Sequence, residues 1–82
     1  MARGHKQFFV QATVVRTLAH NGAPYVDTAQ IGNASTLKSA KAMISKFRRE
    51  NQKYCPSDFE VYDCWADVDP KTGFVPCVYE EQ

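Results

Sequence analysis

The sequence predicts an α+β fold: one four-stranded antiparallel sheet built from two hairpins, with a single helix on one face, in the order β-β-α-β-β. Three observations lead there. The chain has 82 residues, room for one domain (1–82) and one core. One amphipathic stripe of helical period, Leu37, Ala40, Ile44 and Phe47 with Met43 beside it, lies near its middle. On each side of that stripe sit two runs of β-branched and aromatic residues, joined by the turn signals Asn21-Gly22 and Asp69-Pro70-Lys71-Thr72-Gly73. A sheet with one apolar face and a helix with one apolar stripe bury each other most simply as two layers.

Residues 1–6 are expected to form a flexible end. Gln7 to Leu18 reads as a strand in which Phe8, Val10, Ala12 and Val14 alternate with Gln11 and Thr13. Phe9 and Val15 interrupt the polarity of its second face. Asn21-Gly22 predicts a tight hairpin, because both residues tolerate positive φ. The return strand runs from Tyr25 to Gly32, with Ala29 and Ile31 on one face and Thr28 and Gln30 on the other.

Ser35 or Thr36 is placed to cap a helix over about 36–53, which ends ahead of Pro56. Phe59 to Val68 and Phe74 to Tyr79 complete the second hairpin. Its core face is assigned to Tyr62, Cys64, Ala66 and Val68 with Val75, Cys77 and Tyr79. Asp63, Trp65, Asp67, Pro76, Val78 and Glu80 are assigned to the opposite face. Pro76 cannot donate to a ladder, so the fourth strand is expected at an edge or bulged there. The uncovered sheet face, with Phe9, Val15 and Trp65, is the expected place for a homodimer contact in so small a domain.

Composition excludes several classes. With 44% hydrophobic and 23% charged residues the chain is neither disordered nor fibrous. No run approaches the roughly 20 apolar residues of a membrane span, and the basic start Met-Ala-Arg-Gly-His-Lys leads into no signal-peptide core. A cytoplasmic protein without membrane contact is expected. Cys55, Cys64 and Cys77 stand nine and thirteen apart with no C-x-x-C and no nearby histidine, which points to free, partly buried thiols rather than a metal site. A Cys64–Cys77 disulfide is the geometric alternative.

Catalysis has no obvious carrier. His5 falls at the terminus and His20 in a turn, so neither is placed as a base for a nucleophile. The glycines are scattered singly, so there is no phosphate-cradling loop. Asp63, Asp67 and Asp69 could act as acid and base, yet nothing supplies them with a pocket. The expectation is a protein that is not an enzyme and needs no cofactor or metal.

Charge is the informative feature. The net charge is only +1, but Thr36 to Lys53 carries +5 and Tyr54 to Gln82 carries −6. At about 100° per residue, Lys38, Lys46, Arg49 and Lys53 fall opposite the apolar stripe, with Lys41 and Arg48 along one edge. This basic face could neutralise phosphates by counterion release, or serve merely as a solvated outer surface. The acidic third presents a second candidate, Asp63, Trp65, Asp67 and Asp69 with Tyr62, Glu80 and Glu81, in which aromatics give contact area and carboxylates pair with a basic partner. The alternative there is a core tryptophan among solvated acids.

The segment Ser35-Thr36-Leu37-Lys38-Ser39-Ala40-Lys41-Ala42-Met43-Ile44-Ser45-Lys46, set between two hairpins, resembles the single helix of small phage-encoded proteins of β-β-α-β-β order. Among these it is similar to an anti-CRISPR family that blocks the type I-F surveillance complex. The match in order spans most of the chain, and the match in sequence is confined to that segment. The resemblance implies a non-enzymatic inhibitor in the host cytoplasm, a nucleic-acid mimic or binder that occupies the DNA path of a ribonucleoprotein machine. A dimeric nucleic-acid-binding accessory or regulatory protein and a virion assembly subunit are the alternatives.

Overall fold

Two hairpins and one helix form in the expected order. The computed structural model describes residues 7–82, so the expectation for residues 1–6 lies outside it. The elements are β1 (Phe8–Thr17), β2 (Pro24–Ala34), α1 (Leu37–Glu50), β3 (Ser57–Asp63) and β4 (Cys77–Glu81), with a short 3-10 turn at Gln52–Tyr54. The strands form one antiparallel sheet in the order β2-β1-β3-β4, which puts β2 and β4 at its edges. No helix among the described residues is long and apolar enough to cross a membrane.

The strict period-2 pattern of β1 decides which face is covered. Phe8, Val10, Ala12 and Val14 are buried, while Phe9, Gln11, Thr13 and Val15 point to the other side. Ala34, Ala40, Ile44, Phe59 and Val61 close the core from β2, α1 and β3, with Ile31, Leu37, Met43, Phe47 and Tyr79 packed around them. The Phe47 and Phe59 rings meet edge to face with centroids 6.5 Å apart. Each large side chain fully buried here, such as Phe59 or Ile44, contributes about 1.5–3 kcal/mol.

The helix starts where a cap is available. Thr36 Oγ1 accepts the Ser39 N–H at 3.0 Å, and the chain at Thr36 is extended. At the other end both the backbone N–H and the side-chain amide of Asn51 donate to the Phe47 carbonyl. Cys55 then turns left-handed, with φ +48°, ahead of Pro56.

The first hairpin turn is wider than the Asn21-Gly22 signal predicts. Leu18 N–H donates to the Ala23 carbonyl, Gly22 N–H to the Leu18 carbonyl, and Asn21 Oδ1 accepts from Ala23 N–H. Only Gly22 has positive φ, so the two-residue turn, which needs it twice, does not form.

The second hairpin departs further. β3 stops at Asp63 rather than Val68 because its carboxylate accepts the Trp65 N–H and its carbonyl the Ala66 N–H, a local turn that outcompetes the ladder. β4 starts at Cys77, directly after Pro76, and residues 64–76 form a connection. Within it Asp69–Gly73 is a turn as expected, with Asp69 accepting from Lys71, Thr72 and Gly73 N–H, and Gly73 at φ +75°.

The core-face assignment of this hairpin is corrected accordingly. Phe59, Val61 and Asp63 point inward, so Tyr62 lies on the open face and Cys64, Ala66 and Val68 are not in a strand. A slip of one residue exchanges the two faces of a strand. On β4 Tyr79 faces the core as expected, whereas Cys77 is exposed and pairs with Tyr62. All three cysteines are free and exposed, not partly buried, and Cys64 and Cys77 are unlinked. Trp65 is half-buried in the connection, off the uncovered sheet face to which it was assigned.

Candidate functional site

The helix carries its six cations in two groups with different surroundings. Arg48 and Lys41 lie on the edge toward β4. Arg48 forms an ion pair with Glu81, donates to the Gln82 carbonyl at 3.2 Å and stacks 4.6 Å from the Phe59 centroid. Lys41 Nζ sits 4.5 Å from the Tyr79 centroid. The Tyr79 hydroxyl donates to Glu81 as well, and this hydrogen bond, followed by Arg48, lowers the Glu81 carboxyl below its ordinary value. These two cations therefore hold the acidic end of β4 against the helix.

Lys38, Lys46 and Arg49 occupy the outer helix face and are exposed, and Lys53 follows them 5.0 Å from the Tyr54 ring centroid. Among the described residues no carboxylate comes within ion-pairing distance of any of the four. About 16 Å of helix axis separates Lys38 from Arg49. Arg16 reaches the other side of the Tyr54 neighbourhood, 5.5 Å from that ring and 2.9 Å from Asp27. The outer face is thus a basic strip whose cations form no ion pair among the described residues, with Glu50 as the one acid on the helix.

The acidic residues singled out from the sequence do not make one surface. Asp63 is buried, 8% exposed, and holds the turn at the end of β3. Trp65 and Asp67 border a shallow depression beside Gln7 and Cys64. Asp69 faces a different hollow, where the 64–76 connection overhangs the open face of the sheet. That hollow is a groove of about 790 Å³ whose walls include Phe9, Tyr62, Phe74 and Val75 and whose acids are Glu60, Asp69 and Glu80.

Glu60 and Glu80 stand directly opposite each other on β3 and β4. Glu60 accepts from Gln11 Nε2 at 2.9 Å. Desolvation, then a hydrogen bond with Glu60, pushes the Tyr62 phenol up to about 12, so it remains a donor at neutral pH. Desolvation by its neighbours raises the Cys77 thiol although the residue is exposed overall, with the two glutamates acting in the same direction. The Glu60, Cys77 and Glu80 donor atoms lie within 4.8 Å of one another, the grouping among the described residues that could hold a metal ion. Their sequence positions hid this, because only β3–β4 pairing brings them together. Sequence pattern offers no sign of Glu60 or Phe74 as site residues, and groups Glu80 with the acidic hairpin.

No family model matches this chain, and no curated protein or solved structure matches it either.

Proposed function

We propose that this protein is a non-enzymatic binding protein that inhibits a host defence nucleoprotein complex, laying its basic outer helix face along the path of the nucleic acid. The observation that carries the reading is the division of the helix cations. Lys41 and Arg48 are used inside the fold, whereas Lys38, Lys46, Arg49 and Lys53 have no ion-pair partner among the described residues and share one exposed strip. An exposed row of cations spanning about three helical turns suits a polyanionic backbone. The acidic end of β4 is clasped to the helix edge rather than lying across this strip, so its charge does not cover the cations. The β-β-α-β-β order and the resemblance of the 35–46 segment to the type I-F inhibitor family support the choice of target, and on this reading the protein acts in the host cytoplasm.

The experiment is capture of the tagged protein from bacterial lysate with and without nuclease, beside the double variant Lys46→Ala with Arg49→Ala. A defined protein complex that survives nuclease, and is depleted with the variant, is the expected outcome. Nucleic acid alone, lost on nuclease treatment or in high salt, would overturn inhibition and favour a nucleic-acid-binding accessory protein that uses the same strip.

A further inference from the structure

The groove on the opposite side of the sheet calls for a different ligand. Its floor is the open face of β1, β3 and β4, and its overhanging wall is the connection after β3. Phe74 stands on that wall 70% exposed, a large aromatic with no packing role in the core. The floor carries Tyr62 and Phe9, and three carboxylates, Glu60, Asp69 and Glu80, join the lining, with no cation among the described lining residues.

The pair Glu60–Glu80 is unusual in itself. Like charges directly opposite in an antiparallel pair repel and destabilise the sheet. Among the described residues the hydrogen bond that Glu60 accepts comes from a neutral donor, the Gln11 amide. A cation between the two glutamates would remove the repulsion, and aromatic faces alongside would hold its stem and charge.

We propose that this groove is a docking site for a cationic peptide segment of another protein, one that inserts lysine or arginine side chains between Glu60 and Glu80 beside Phe74. Nucleic acid is repelled by the same carboxylates, so the two faces of the sheet sort two kinds of partner. A second copy of this chain is a poor occupant. The matching basic strip lies on the helix, on the far side of the sheet, and a contact joining opposite faces propagates into an open chain instead of closing as a dimer. The groove reading stands independently of the inhibitor reading, since it involves none of the helix cations.

Fluorescence anisotropy with a labelled nonapeptide carrying arginine at alternate positions tests it, against the same peptide with glutamine in those positions. The arginine peptide should bind and the glutamine peptide should not. Combining Glu60→Gln, Asp69→Asn and Glu80→Gln should weaken binding about ten-fold or more. These changes keep the acceptors for the Gln11 and Lys71 hydrogen bonds, so the fold should survive. Phe74→Ala should weaken binding without any change of charge. Glu50→Gln, Asp58→Asn and Asp67→Asn remove equal charge outside the groove and should leave the affinity within two-fold, as should the Lys46→Ala, Arg49→Ala variant. Absence of binding, or equal loss in the two charge-matched triple variants, overturns the proposal, the latter by revealing diffuse electrostatics.

Discussion

Gly32 shows how much a single position can constrain. Its φ is +149°, in a region that side chains disfavour, and a Cβ there would lie 3.0 Å from Met43 Cε. The residue sits beside the β-bulge of the first hairpin, where Val10 pairs with Gly32 but Gln11 pairs with Gln30. Gly32→Ala should therefore cost about 1–3 kcal/mol, read as a lower urea midpoint with unchanged slope. Unchanged stability would mean that the backbone rotates out of the strained region without disturbing the helix. Nothing in the sequence around Gly32 separates this glycine from an ordinary strand end, because the constraint comes from the bulge in the β1–β2 pairing and from Met43 on another element. Asp58, at φ +49° in β3, is equally illegible from its neighbours. Its conformation accompanies the register shift that takes the β1–β3 pairing from Gln11–Glu60 to Thr13–Ser57.

Among the elements, α1 was the most legible and β4 the least. The apolar stripe of the helix, its Thr36 cap and its end before Pro56 are all local, set by residues within a few turns of each other. β4 is a five-residue edge strand with little of its own to bury. Its hold on the molecule comes from β3 pairing and from Glu81, which receives the Tyr79 hydroxyl and Arg48. Because Glu81 is lowered in the folded state, this contribution is present above the ordinary glutamate value of about 4.3 and is lost as pH falls through the lower folded value. The pair is partly exposed, so the effect should stay under about 1 kcal/mol. Glu81→Gln should be less stable than wild type at pH 7, and urea midpoints of the two should converge on acidification below pH 4. A constant gap across that range would show that the Glu81 charge is not what holds the strand.

At the scale of the whole molecule, stability should be graded from the middle of the sheet outward. β1 and β3 are the central strands and supply most of the fully buried side chains, among them Val10, Val14, Phe59 and Val61. The 64–76 connection is largely exposed and held by turns of its own. Amide hydrogen exchange should accordingly be slowest in β1 and β3, faster in β4, and fastest in the connection. Slow exchange in the free connection would indicate a preformed, rigid groove wall. The charge division also becomes interpretable only at this scale. The +5 and −6 segments meet in charge along a seam where Lys41 and Arg48 face Tyr79 and Glu81. One basic and one acidic surface remain, on opposite sides of the sheet.

The sequence by itself determined the element order, the helix with its cap, and the inward residues of β1 and α1. Each of these is written in contiguous periodicity or in a capping residue, and the driving force, burial of one face, acts on that pattern directly. The opposite charges of the two segments were equally plain. Only the tertiary structure decided which cations are free, which face of β3 is inward, and which acids line a groove. Those outcomes depend on pairing between strands far apart in the chain, such as Gln11 with Glu60, and on a one-residue register that inverts every side chain along a strand. That register turns Phe59, Val61 and Asp63 into the interior and leaves Tyr62 on the open face.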